Sequence, residues 1–143
     1  MAACCFFGHR DCPNTIKPRL REVVTQLIEC DGVNEFYVGH QGAFDAIVSS
    51  VLRELVKSYP QIQYDIVLAY VPQWKANYDT EMTQNTILPE GIETAPKRFA
   101  IDRRNKWMLE NSDYVVTYVT HSWGGAAKFA NEAKRLGKTV IEI

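Results

Sequence analysis

The sequence predicts an α/β protein: a three-layer, Rossmann-like domain with a mainly parallel, five-stranded sheet. Three observations carry this. Short apolar runs alternate with amphipathic helical stretches along the whole chain. The clearest runs are apolar at every position, as strands covered on both faces require. Three of them stop at once on Gly8, Gly39 and Pro72. The right-handed crossover rule turns such an alternation into a parallel sheet with helices on both sides.

The elements follow in order. Ala3 to Phe7 is a buried strand ended by Gly8. From Thr15 to Cys30, the residues Ile16, Leu20, Val23, Val24, Leu27 and Ile28 form one helical stripe, with Asn14 or Thr15 as cap and Asp31-Gly32 as stop. Phe36-Tyr37-Val38 is the second strand. Between Ala43 and Tyr59, Phe44, Ile47, Val48, Val51, Leu52 and Leu55 share a face, and Pro60 closes that helix. Tyr64 to Val71 is the third strand. Residues 72–96 are polar and too long for an ordinary connection, so they read as an active-site flap or as the holder of a short helix. A helix from Lys97 to Asn111, a strand from Tyr114 to Val119 and a turn from Thr120 to Trp123 come next. A helix from Gly124 to Leu136, stopped by Gly137, and a strand from Thr139 to Ile143 complete the pattern. No repeat or linker interrupts it, so residues 1–143 read as one domain.

Composition narrows the function. With 143 residues, 46% of them hydrophobic, the chain builds a core without disulfides or metals. Lys plus Arg is 16 and Asp plus Glu is 17, a net charge of -1, which argues against nucleic acid as the main partner. Cys4 and Cys5 point to opposite faces of a strand, Cys12 and Cys30 stand apart, and no Cys/His cluster offers a metal site. Reduced thiols, an apolar start too short for a signal peptide and the lack of a membrane-length run make the expected location cytoplasmic.

In an open parallel sheet, ligands bind beyond the carboxyl ends of the strands, where the following helices present free N–H groups. Those ends carry Gly8-His9-Arg10, then Gly39-His40-Gln41-Gly42-Ala43-Phe44-Asp45, then Pro72, then Thr120-His121-Ser122-Trp123-Gly124-Gly125-Ala126. Gly124-Gly125 before a helix is either a phosphate cradle or a plain turn. Arg10 is suited to fork onto a phosphate, with His9 as a ligand or acid–base group. Asp45 fits either a helix first turn or the ribose hydroxyls of a nucleotide. His40 reads as incidental. Arg103 and Arg104 interrupt the apolar face formed by Phe99, Ala100, Trp107 and Met108. They either snorkel to water or reach a ligand phosphate. Trp74, Tyr78 and Trp123 are candidates to stack on a base, or are core aromatics.

Together, Phe7-Gly8-His9-Arg10, Gly39-His40-Gln41-Gly42-Ala43-Phe44-Asp45, Arg104-Asn105-Lys106-Trp107-Met108, Ser112-Asp113 and Gly124-Gly125-Ala126 resemble the SLOG superfamily. That group includes the DNA-processing protein DprA, the LOG-type phosphoribohydrolases and the small bacterial YpsA-like proteins, to which the ordered set is most similar. The resemblance implies a Rossmann-like fold, a site for a nucleotide-derived ligand such as ADP-ribose or NAD, and dimers. It implies no other cofactor. Arg104, Met108, Asp113 and Gly124-Gly125 also match the order of the LOG-type pattern, in which an acidic residue after the Gly-Gly turn serves N-glycosidic hydrolysis. Here Lys128-Phe129-Ala130-Asn131 occupies that stretch and Glu132 follows later. The primary expectation is therefore binding or sensing of a nucleotide derivative. One alternative is an N-glycosidic hydrolase with Arg104, Asp45 and Glu132 as catalytic candidates and Asp79 and Glu81 as further carboxylates. The other is a DNA-associated protein of DprA type, using the cluster Lys97, Arg98, Arg103, Arg104 and Lys106.

Overall fold

The computed structural model describes residues 2–69, 86–87, 89 and 97–143. Among them the order is β1 (Ala2–Gly8), α1 (Lys17–Cys30), β2 (Val33–Val38), α2 (Ala43–Ser58), β3 (Gln63–Val67), β4 (Thr86–Ile87), α3 (Lys97–Glu110), β5 (Tyr114–Tyr118), α4 (Gly125–Arg135) and β6 (Thr139–Glu142). The strands form one sheet in the order β4-β3-β2-β1-β5-β6, and every neighbouring pair is parallel.

The period-2 geometry of β1 explains the two-sided covering. Cys4 and Phe6 join the apolar cluster formed with α1 and α2, whereas Cys5 and Phe7 join the cluster formed with α3 and α4. Phe6 stacks near Phe36 at 6.2 Å between centroids, and Phe7 near Phe129 at 5.5 Å. A large apolar side chain buried this fully contributes about 1.5–3 kcal/mol, so the centre of the sheet is the rigid part of the frame. The cysteines are free thiols, and Cys4 and Cys5 serve as core hydrophobes.

The chain moves outward from β1 to β4, then returns to place β5 on the other side of β1. That reversal between β1 and β5 is the topological switch point at which open α/β sheets bind ligands. At the opposite end of the same two strands, Asp113 N–H donates to the Ala3 carbonyl at 2.9 Å and Asp113 Oδ2 accepts from Ala3 N–H at 3.3 Å. The two strands are thus clamped at their start.

Three expectations are corrected. The sheet has six strands among the described residues, not five, because Thr86–Ile87 pairs with Ile66–Val67. A two-residue strand leaves no alternation to read in a sequence. β3 is also shorter than the expected Tyr64–Val71, stopping at Val67. Neither Asn14 nor Thr15 caps the first helix. A 3-10 turn over Asn14–Ile16 precedes α1, and Pro18 lies in the first helical turn, where its missing N–H costs nothing. No helix among the described residues is long and apolar enough to cross a membrane.

Candidate functional site

The helices that follow β2 and β5 both open on a glycine of the same unusual shape. Gly42 precedes α2 with φ 91 and ψ -177, and Gly124 precedes α4 with φ 93 and ψ 171. This region is essentially closed to L side chains. A helix start leaves its first N–H groups without partners inside the helix. Ala43 N–H then donates to the Arg10 carbonyl at 2.9 Å, tying the β1 and β2 ends together.

A cavity of about 350 Å³ lies there. The expected residues Gly8, His9, Arg10, Gly39, Asp45, Arg104, His121, Trp123, Gly124, Gly125 and Ala126 all line it. Gly42, Ala43 and Phe44 do not; they shape its wall from behind. Phe44 is fully buried, its ring packed so tightly on Gly8 that a Cβ there would lie 2.2 Å away. Ser122 borders a separate hollow with Thr120 and Asn131. Glu132 pairs with Arg135 and lines an outer groove between α3 and α4, away from the cavity.

Arg104 rises from α3 and is buried at 3% exposure, the side chain reaching across the sheet edge. Its Nε donates to Asn105 Oδ1 at 2.8 Å and its Nη1 to the Val67 carbonyl at 3.4 Å. A Cβ on Gly39 would stand 2.5 Å from Arg104 Nη1 and 2.8 Å from Asp45 Oδ2, so both charged groups crowd over that glycine. Asp45 Oδ2 accepts the Gln41 N–H at 2.9 Å. Burial nevertheless pushes the Asp45 carboxyl up to about 6, outweighing the Gln41 bond and the charges of Arg104 and Arg10. The proton on Asp45 is therefore exchangeable close to neutral pH.

On the other wall the rings of His9, His121 and Trp123 stack in a column. Centroid spacings are 3.6 Å and 3.8 Å, and interplanar angles 17° and 21°. His9 Nε2 accepts the Thr120 N–H at 2.9 Å, which fixes the unprotonated nitrogen. Burial, and then the neighbouring His121, lower the His9 pKa and keep the ring neutral. His40, expected to be incidental, is held neutral by burial and by Arg104, with Nδ1 buried and unpaired.

Sequence reasoning missed Asn105, which is buried, lines the cavity and positions Arg104. Its signal was a polar pair, Arg104-Asn105, inside a helix whose neighbours Met108 and Leu109 are buried. Gln41, Asp11, Ile101 and Met108 also line the cavity. Of the five-residue basic cluster, Arg104 alone among the described side chains lines the cavity. Arg103 and Lys106 are exposed toward the outer groove, and the side chains of Lys97 and Arg98 lie outside the described residues. Trp74, Tyr78, Asp79 and Glu81 lie outside them as well, as does most of the 72–96 segment. Phe99, expected on the apolar face of α3, is 48% exposed. Among the described residues no three His, Cys, Asp or Glu side chains gather to hold a metal ion.

No protein-family model matches the chain, and no curated protein matches it. Solved structures do. DNA processing protein A (DprA) from Streptococcus pneumoniae aligns with 99% of this chain at a TM-score of 0.72 and 14% identity. The likeness is one of fold, to the aligned half of that DprA chain. DprA from Helicobacter pylori, whose structure is described for its single-stranded DNA binding mode, aligns with 99% of this chain at 0.68 and 15% identity. The chain spans 50% of the first DprA chain and 64% of the second. The α/β architecture expected from the motifs is therefore the one shared with these structures.

The expectation against a nucleic-acid partner is corrected by the same comparison. The Helicobacter pylori DprA, similar in fold, is described as binding single-stranded DNA. A net charge of -1 sums over the whole surface, whereas strand binding depends on the local field, and here Arg10 and Arg104 share one cavity.

Proposed function

We propose that the C-terminal edge of the sheet binds single-stranded nucleic acid, seating a backbone phosphate between Arg10, Arg104 and the first turn of α4. One observation carries this: Arg104 is buried in α3 yet lines the same cavity as the glycine turn Gly124-Gly125. An enclosed guanidinium and a row of helix N–H groups suit a phosphate, which takes charge-assisted bonds from both. The architecture shared with DprA supports a strand as the source of that phosphate.

A second reading is a free nucleotide derivative, ADP-ribose- or NAD-like, as the finer likeness to YpsA-like proteins suggests. The cavity favours it, because about 350 Å³ falls in the range of small-ligand sites. Asp45 would then receive ribose hydroxyls. Hydrolysis has less support: Glu132 pairs with Arg135 outside the cavity, leaving Asp45 and Asp11 as the carboxylates that line it among the described residues.

Fluorescence anisotropy with a labelled oligothymidylate, repeated over a salt series, tests the proposal. Binding with a log–log salt slope of about -1 is expected for one or two seated phosphates. Displacement by ADP-ribose or NAD at stoichiometric amounts would favour the second reading. A complete lack of strand binding at low salt would overturn the first.

A further inference from the structure

Trp123 lies in the β5–α4 turn, and its indole is 68% exposed, although it stacks on His121 at 3.8 Å. An exposed tryptophan normally folds down onto apolar neighbours. This one is propped up instead, on two imidazoles that are themselves pinned.

The pinning can be traced ring by ring. His9 is 7% exposed, meets Tyr118 edge-on at 6.3 Å, and is locked by the Thr120 N–H on Nε2. His121 lies on His9 at 3.6 Å, and its Nδ1 is buried without a hydrogen-bond partner. A buried, unpaired imidazole nitrogen carries a desolvation cost, so the ring is held there by stacking and not by hydrogen bonding at that atom. The column therefore ends in a flat π-surface whose height and tilt are set by the end of β1. It lines the cavity together with Gly124-Gly125.

We propose that Trp123 is a nucleobase-stacking platform, held at its angle by the His9–His121 pair, so that one nucleotide places its base on the indole and its phosphate at Gly124-Gly125. This deepens the strand-binding proposal and rests on it. Stacking on an aromatic face is tolerant of base identity, so the platform serves any base-bearing phosphate and selects against a bare sugar-phosphate. His9 and His121 are positioning residues in this arrangement.

The test compares a short oligothymidylate with an abasic strand of the same length, titrated into the full chain and followed by anisotropy and by Trp fluorescence. The wild type is expected to bind the base-bearing strand about tenfold more tightly, within the range of one stacked base. Trp123→Ala is expected to remove that preference, while Trp123→Phe retains most of it. Since the indole is largely exposed, circular dichroism should be unaltered in both. His121→Ala, which keeps the indole but removes its prop, is expected to reduce the preference as well. Equal wild-type affinity for the two strands would overturn the platform while leaving strand binding intact. Binding of neither strand would overturn both.

Discussion

Gly39 and Arg104 are packed so closely that a methyl group on the glycine would lie 2.5 Å from the guanidinium. The β2–α2 turn and α3 come from opposite faces of the sheet, and this contact is where they meet. Asp45 joins them at 2.8 Å from the same point. Replacing Gly39 with alanine is therefore expected to push Arg104 and Asp45 apart. Overpacking of this kind costs about 1–3 kcal/mol. Chemical denaturation measures that loss, and anisotropy with an oligonucleotide is expected to show weaker binding by about tenfold.

Asp45 titrates against stability. Its folded value near 6 lies above the ordinary 3.8, so the folded chain holds the extra proton between those limits. The stability it contributes is full below the unfolded value and is lost as the pH rises through the folded one. Asp45→Asn is expected to stabilise the protein at about pH 8, by at most about 3 kcal/mol, and to have little effect at about pH 4. Thermal melts at the two pH values check this. An equal shift at both would remove the carboxylate's ionisation as the cause.

The helix-opening glycines should be irreplaceable for conformational reasons. At Gly124 the nearest atom to an added Cβ is 3.9 Å away, so space is available and only the backbone objects. Gly124→Ala is expected to cost about 1–3 kcal/mol. Gly42→Ala adds a collision with the Arg10 Cα at 2.7 Å and should cost more. Urea melts of the two variants would rank them.

Gly125 behaves differently. It lies in α4 without positive φ, and an added Cβ would have Asn105 Nδ2 at 3.9 Å, an ordinary contact. Gly125→Asp is expected to fold normally while placing a carboxylate in the cavity. Oligonucleotide affinity should fall by tenfold or more, since one tenfold step is only about 1.4 kcal/mol. Unchanged binding would move the phosphate away from this turn.

The sequence was most legible where a single physical demand dominated. Ala3 to Phe7 must be apolar on both sides, because β1 lies mid-sheet between two helical layers. Gly8, Gly39 and Gly124 stood out because they close strands or open a helix at the ligand edge. Arg104 was visible as a charge inside an apolar stripe, yet only the packing distinguishes it from Arg103, which is exposed. β4 was invisible because two residues have no period. The histidine column was invisible for another reason: His9 and His121 stand 112 residues apart, and stacking leaves no mark in local pattern. Net charge misled about the partner because an average conceals where arginines converge.

The alternation of Phe6 and Phe7 in β1 sends neighbouring side chains into two separate apolar layers. The cavity sits on the seam between those layers, with Gly39 and Asp45 from one side and Arg104 and Gly125 from the other. An occupant would act as a rivet through both. Its arrival should slow amide exchange at the start of α2 and the start of α4 together, because it would tie both layers to one body.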